Sequence, residues 1–267
     1  HSLIAAKLAS HLSQALGMQI RLRTLFEAPT VERLAAALDA MRSNQTAQPS
    51  RAPIAHRKDQ GEAPLTVMQE RIRFVEEMHP GRVAYNSPSG HRLRGSLDLA
   101  AFQRAFREML ARQPSLRTSI ETSGGRHVQR VHEVDASYAL PLVDLSVDAP
   151  AQREKRLHEM LSAMVDETFE LGCAPLFKAT LFKLADDDHV LFFMTHHIVW
   201  DGWSFDVLYA EISALYEAYR TGHQPTLAPL AVTYGDYAQW HQDWLTSQEL
   251  RDQIDHWKKQ FAPEKNL

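Results

Sequence analysis

Two neighbouring apolar segments near residue 185 constrain the fold more than any other part of the sequence. Leu176–Leu184 and His189–Thr195 are both apolar and of strand length. A mostly acidic stretch of hairpin length, Ala185–Asp188, separates them. The sequence therefore predicts a pair of antiparallel strands here.

Helical spacing surrounds this strand pair. Between Leu97 and Arg112, large apolar residues recur on one helical face, and Asp98 is placed to cap the first turn. Further helices are predicted at Gln152–Glu167, at Phe205–Tyr219 and from about Tyr234 to Phe261, and a short strand at Arg126–Val131. Because helices alternate with short strands, we expect an α/β fold, a two-layer lobe in which a mixed sheet packs against helices.

The first part of the chain has a different pattern. Ile4, Leu8, Leu12 and Leu16 form an apolar helical stripe, and a second helix is predicted at Val31–Met41. Residues 44–63 are rich in Pro, Ser, Gln and charge and have no apolar period, which is typical of a linker. We therefore expect a small helical segment at 1–43, a linker at 44–63 and the α/β lobe at 64–267.

Composition excludes several function classes. Lys and Arg total 29 against 33 Asp and Glu, a formal net charge of −4, and no basic block is present, so no nucleic-acid partner is expected. No apolar run approaches the ~20 residues that a membrane-spanning helix needs. Cys173 is the single cysteine, and the start of the sequence has no secretion signal. We therefore expect a cytoplasmic protein with no membrane partner.

The segment His196–Ser204 joins the second apolar strand to the helix that begins near Phe205. A metal site is not favoured, because adjacent histidines at a strand end face opposite sides and no further His or Cys lies at ligand spacing. Two interpretations remain open. Either one imidazole is hydrogen-bonded in the core and the other lies on the surface, or one faces a cleft as a general base while Asp201 fixes the local backbone.

The pattern HHxxxDG at His196–Gly202 resembles the chloramphenicol acetyltransferase-like acyltransferases. With Trp203 and Ser204 it is similar to the HHxxxDGWS motif of nonribosomal peptide synthetase condensation domains. Three further motifs of that family occur in order, with Met68, Arg73 and Pro114 departing from them. The matching residues are Thr66, Gln69, Arg71 and Phe74 (SxAQxRLWFL); Arg112, Leu116, Arg117 and Thr118 (RHExLRT); and Tyr234, Asp236, Tyr237, Ala238 and Trp240 (YxDYAxW). The resemblance implies the N-terminal lobe of such a domain at 64–267.

The start of the chain resembles the second half of a peptidyl carrier protein. His1-Ser2-Leu3 matches the end of the carrier sequence GGHSL, and Leu25–Thr30 follows as in that family. The resemblance implies that Ser2 carries 4′-phosphopantetheine as a covalent cofactor. It also implies that the chain is a fragment of a longer polypeptide.

The resemblance implies amide formation between an acyl or peptidyl thioester on an upstream donor carrier and an aminoacyl group on a downstream acceptor carrier. Adjacent synthetase domains are further implied partners. In the family the second histidine, here His197, faces the reaction centre and either accepts the amine proton or orients the nucleophile, while the Gly202 N–H is available to the oxyanion. The residues implied to be structural are His196, Asp201, paired with an arginine, Trp203, Ser204 and Arg117.

Two alternatives accompany this interpretation. Epimerisation domains share HHxxxDG but usually continue DGVSW, where this chain has Trp203 and Ser204. A non-catalytic docking fragment is the second alternative, because condensation domains continue beyond the fourth motif into a second lobe of similar fold. We therefore expect this fragment alone to be inactive.

Overall fold

The computed structural model describes residues 2–43 and 54–261 and divides into two compact units, His1–Pro53 and Ile54–Leu267. Among the described helices, none combines the length and the apolar character needed to cross a bilayer.

Three helices make up the first unit: α1 (Ser2–Leu16), α2 (Leu22–Glu27) and α3 (Val31–Ser43). Gly17 ends α1 with a φ of +60°, a left-handed conformation that glycine adopts at little cost. Thr30 caps α3, since its Oγ1 accepts a hydrogen bond from the Arg33 N–H at 3.2 Å. The two predicted helices are confirmed. The small core contains Met18, Ile20 and Leu38.

The second unit alternates strands and helices. In chain order its elements are β1 (Glu62–Pro64), α4 (Val67–Met78), β2 (Asn86–Arg94), α5 (Leu99–Arg112), a short 3-10 helix (Pro114–Arg117), β3 (Thr118–Ser123), β4 (Arg126–Val131), β5 (Leu142–Asp144), α6 (Pro150–Val165), β6 (Phe177–Ala185), β7 (Asp188–His196), α7 (Gly202–Arg220), α8 (Tyr234–Leu245) and α9 (Gln248–Gln260). One sheet has the order β2-β7-β6-β5, and a smaller sheet has the order β1-β4-β3. Because β5 runs parallel to β6 while the other pairs of the larger sheet are antiparallel, that sheet is mixed, as predicted.

The predicted strand pair consists of β6 and β7. Leu181 lies opposite Leu191 in an antiparallel register, which confirms the hairpin. On its other side β7 pairs with β2, with His196 opposite Asn86. Strand β7 is therefore internal to the sheet, and its last residue is held between two neighbours.

Alternate residues of β7 enter two different cores. Leu191 and Phe193 pack with α5 and α7, whereas Phe192 and Met194 pack with Leu157 of α6. Full burial of each such side chain contributes about 1.5–3 kcal/mol. Helices on both faces of the sheet therefore hold β7, and with it the start of the segment that follows.

The predicted last helix is divided in two. Helix α8 ends at Leu245, and α9 begins after Ser247, whose Oγ accepts a hydrogen bond from the Leu250 N–H at 3.2 Å. The prediction of one continuous helix from Tyr234 to Phe261 is therefore wrong, because a serine N-cap starts a new helix within that range.

Part of the segment interpreted as a linker belongs to the second unit, which begins at Ile54. The buried carboxylate of Asp236 accepts hydrogen bonds from the backbone N–H groups of Arg57 and Thr233 and from Gln60 Nε2, at 2.8–2.9 Å. His56 Nδ1 lies 2.8 Å from the same carboxylate. We call these five residues the Asp236 network. It ties residues 56–60 to the start of α8.

Candidate active site

The two histidines at the end of β7 differ in burial, as expected for neighbouring strand residues that face opposite sides. The His196 side chain is buried, with 3% of its surface exposed, whereas the His197 side chain is exposed to solvent. The His197 ring makes no hydrogen bond with any residue in the ranges 2–43 and 54–261. We call His196–Gly202 the histidine junction. Its exposed imidazole is free to contact another molecule.

His196 is a neutral core residue. Its Nδ1 accepts a hydrogen bond from the Ile198 N–H at 3.2 Å, so the ring proton lies on Nε2. Nε2 faces Glu76 Oε1 at 3.7 Å, and the rings of Tyr85 and Phe169 lie 5.9 Å away. Burial, with a smaller contribution from His197, lowers the pKa of His196 to about 4. Burial also raises the pKa of Glu76. The pair is therefore not an ion pair at neutral pH.

Hydrogen bonds restrain the backbone of the histidine junction. The His196 N–H donates to Leu176 O at 3.0 Å, and the His197 N–H donates to Tyr85 O at 2.8 Å. The Ile198 carbonyl accepts from Gln69 Nε2 at 3.0 Å. Because the His197 ring has no partner among the described residues, these backbone contacts determine where it lies.

Asp201 caps the helix that follows. Its Oδ1 accepts from the Ser204 N–H at 2.8 Å and from Ser204 Oγ at 2.6 Å, while the Asp201 N–H donates back to Ser204 Oγ at 3.3 Å. Within residues 54–261 no arginine pairs with Asp201. Among the described residues, the partner of Asp201 is Ser204, with which it forms a reciprocal helix cap, and the arginine partner implied by the resemblance stays a prediction.

Gly202 is the first residue of α7 and is exposed. A Cβ atom added to it would meet no atom within 4 Å, and its φ is not positive. Neither close approach nor unusual backbone geometry within this unit therefore requires glycine at this position. Its N–H lies in the first turn of a helix, where backbone donors lack intrahelical acceptors. Trp203, the next residue, is half-buried.

Two further predicted site residues, Arg117 and Ser2, lie outside the histidine junction. The Arg117 guanidinium donates to the carbonyls of Leu110 and Ala111, at 2.9 and 3.1 Å, and to that of His132. Arg117 thus ties the end of α5 to the segment after β4 and makes no contact with the histidine junction. Ser2 is the first residue of α1, in the other compact unit.

Gln69 and Asp236, whose side chains hold the backbone of the second unit in place, are both residues of the matched motifs. A motif does not say which group each side chain contacts. Glu76 and Tyr85 lie outside the motif matches, and no sequence signal marks them.

In the described part of the second unit, a cavity of about 320 Å³ is lined by Glu76 and Phe169, which also lie beside His196. Another of about 690 Å³ lies between Arg104, Tyr219 and the segment before α8. His197 lines neither of them. In the part of the chain that the structure describes, no cluster of three His, Cys, Asp or Glu side chains could hold a metal ion.

Comparison with known proteins decides the family. The family model for the condensation domain matches residues 59–267, and the model for the phosphopantetheine attachment site matches residues 1–38. The chain belongs to the condensation-domain family of nonribosomal peptide synthetases. The expectation that a segment with a 4′-phosphopantetheine attachment site precedes the condensation domain is confirmed. These matches favour condensation over the epimerisation and docking alternatives.

The curated relatives are large synthetases. Malpibaldin synthetase of Mortierella alpina is 36% identical over 262 residues, 98% of this chain and 5% of the relative. A dimodular nonribosomal peptide synthase of Bacillus subtilis is 35% identical over 97% of this chain and 11% of the relative. The condensation-domain chain thus spans only a small part of the curated relatives it matches.

Solved structures agree on the fold. The teicoplanin X-domain in its complex with OxyB is 30% identical, with a TM-score of 0.69 over 81% of this chain and 47% of that chain. The starter condensation domain of rhizomide synthetase is 21% identical, with a TM-score of 0.67 over 76% of this chain and 50% of that chain. The predicted fold class, a chloramphenicol acetyltransferase-like α/β lobe with a mixed sheet and helices, is therefore confirmed, but helices cover both faces of the sheet where two layers were expected.

Proposed function

We propose that this condensation domain forms an amide bond between a donor acyl or peptidyl thioester and the amine of an acceptor aminoacyl thioester, each held on a carrier protein. One observation carries the proposal. The exposed His197 imidazole, without a partner among the described residues, stands at the end of an internal strand, five residues before the exposed Gly202 that begins α7.

In the proposed reaction the acceptor amine attacks the donor carbonyl, so that a C–N bond forms and the C–S bond breaks. His197 holds the amine by a hydrogen bond and accepts the proton that the nitrogen loses, and the departing thiolate is protonated. General-base help of this kind is worth about 10²–10⁴-fold. Placing the two reactants within reach of each other supplies a further part of the rate.

The first turn of α7 stabilises the charge that develops on the carbonyl oxygen. Gly202 contributes its exposed backbone N–H, and the positive end of the helix dipole acts in the same direction. One such donor is worth roughly 2.7–4 kcal/mol in other enzymes. His196 and Asp201 of the junction, together with Trp203 and Ser204 of α7, hold this turn and the strand end in place.

The partners in this proposal are an upstream donor carrier, a downstream acceptor carrier and the adjacent synthetase domains. Ser2 is the attachment point for 4′-phosphopantetheine on the first unit. Incubating the chain with coenzyme A and a phosphopantetheinyl transferase should add the mass of one phosphopantetheine. The variant Ser2→Ala should stay unmodified, and modification of that variant would reject the assignment. A cytoplasmic location stays a prediction.

The proposed activity is tested in the full-length protein. Its donor carrier is loaded with an aminoacyl group and its acceptor carrier with a second one, and intact-protein mass spectrometry follows both. The donor group should move to the acceptor carrier with loss of the donor's thioester. Hydrolysis alone, with no gain of mass on the acceptor, would reject amide formation.

A further inference from the structure

Gln69 connects three parts of the second unit through one buried amide. Its side chain lies in the first turn of α4 and is 2% exposed. Nε2 donates to the Ile198 carbonyl at 3.0 Å and to Gln129 Oε1 at 2.9 Å, while Oε1 accepts from the Thr66 N–H at 3.0 Å. Gln129 is held in turn, because its Nε2 donates to Pro64 O at 2.8 Å.

These partners allow one orientation of the Gln69 amide. In a flipped amide the NH₂ group would face the Thr66 N–H, so that a donor would face a donor. The amide oxygen would face the Ile198 carbonyl, so that an acceptor would face an acceptor. Both amide protons and the amide oxygen are therefore committed. A fully satisfied buried network of this kind is rigid.

The Ile198 carbonyl belongs to the second peptide group after His197, between Ile198 and Val199. The two peptide groups that flank His197 directly are also bonded, because the His197 N–H donates to Tyr85 O at 2.8 Å and the Ile198 N–H donates to His196 Nδ1 at 3.2 Å. The imidazole itself has no hydrogen-bond partner among the described residues. The direction of the His197 Cα–Cβ bond therefore depends on these three consecutive peptide groups, and Gln69 holds the third of them from 129 positions away in the sequence.

We propose that Gln69 is a positioning residue for His197, which it orients by holding the Ile198 carbonyl. This inference rests on the proposed function of His197. Gln69 touches neither reactant, so its loss acts on the rate of the chemical step and leaves carrier binding unchanged. A displacement of about 1 Å can cost on the order of 10²-fold in rate.

The test compares two buried glutamines in the full-length protein. Gln69→Met removes the bond to Ile198, whereas Gln129→Met breaks the same Gln69–Gln129 bond and leaves the Ile198 bond intact. With both carriers loaded as above, we expect Gln69→Met to lower the single-turnover rate of amide formation about 10- to 100-fold, with loading of both carriers unchanged. Gln129→Met should keep that rate within about threefold of wild type, even if its Tm falls as far as that of Gln69→Met.

A double mutant separates positioning from general damage. If Gln69 acts through His197, adding Gln69→Met to His197→Ala should lower the residual rate no further. An independent, multiplicative loss would overturn the proposal, as would equal single-turnover rates for the two glutamine variants. If wild type itself forms no amide, the proposed function fails instead, which distinguishes the two failures.

A second variant covers poor folding of Gln69→Met. Gln69→Glu keeps an oxygen for the Thr66 N–H, and its carboxyl can donate to Ile198 O only while protonated. Burial beside two acceptors raises the pKa of that carboxyl, so the rate relative to wild type should fall as pH rises from about 5 to 8. A constant ratio across that range would contradict the inference.

Discussion

The histidine junction and the Asp236 network both contain motif residues of the second unit. They differ in whether the polar side chain at their centre is buried and hydrogen-bonded or exposed. In the network a buried carboxylate lies within hydrogen-bonding distance of four groups, those of His56, Arg57, Gln60 and Thr233. In the junction the backbone is equally well bonded, but the His197 ring is exposed. A polar group that is buried and satisfied contributes to stability. One that is exposed on a restrained backbone is available for chemistry.

The charges make the same contrast. Burial alone would raise the pKa of Asp236, but the donors from Arg57, Gln60, Thr233 and His56 outweigh it and hold that pKa well below its usual range. In the junction no comparable set of hydrogen-bond acceptors surrounds the His196 ring, so burial dominates and keeps the ring neutral. The Asp236 carboxylate in the network is therefore charged, whereas the His196 ring in the junction is neutral.

The largest expected effect tests the chemical side of the comparison. In the full-length protein His197→Ala should lower amide formation by about 10²–10⁴-fold, because the exposed ring contacts the attacking amine. Its Tm should stay within about 1 °C of wild type. The control is His158→Ala, another exposed histidine, on α6. Wild-type product yield from His197→Ala would remove the role proposed for the ring.

The network should respond in stability instead. Asp236→Ala leaves several buried donors without an acceptor, which should cost roughly 3 kcal/mol and lower Tm by about 6–12 °C. Asp206→Ala, at an exposed position of α7, is the control and should change little. Because the folded pKa of Asp236 is depressed, its contribution is present above the unfolded pKa of about 4 and lost as pH falls through the folded value. Acid titration of both proteins, followed by circular dichroism, checks this.

His196 should destabilise the unit in mild acid. Its folded pKa of about 4 lies below the unfolded value, so between about pH 6.5 and 4 the unfolded chain binds a proton that the folded chain refuses. The free energy of unfolding should fall by on the order of 2–3 kcal/mol across that window. His196→Asn retains an acceptor for the Ile198 N–H and does not titrate. An equal pH slope in both proteins would show that another group is responsible.

The smallest effect concerns the helix cap. Asp201→Ala removes the acceptor for the Ser204 N–H and should cost about 1 kcal/mol, whereas Asp201→Asn should cost a few tenths, because asparagine is an equally good N-cap. Urea unfolding of the second unit measures both. Complete unfolding of Asp201→Ala would mean that the carboxylate has a stronger partner than Ser204.

The sequence predicted the elements whose patterns are local. The β6–β7 hairpin shows in two apolar runs and a polar turn, and α5 shows in the spacing of Phe102, Phe106 and Met109. Short strands such as β1 and β5 went unpredicted, because three residues have no period and gain their partners only in the sheet. The division of the last helix also escaped, since the cap at Ser247 outweighs a continuous helical pattern.

By itself the sequence determined the family, the order of the motifs and the candidate residues, because a contiguous motif is preserved in the chain whatever surrounds it. The residue pattern left open which histidine is buried, and the resemblance implied only that His197 faces the reaction centre; the tertiary structure decided that His196 is buried and His197 is exposed. The roles of Gln69 and Asp236 were likewise decided by folding. Their partners lie 129 and up to 180 positions away, and a hydrogen bond depends on which groups meet in space.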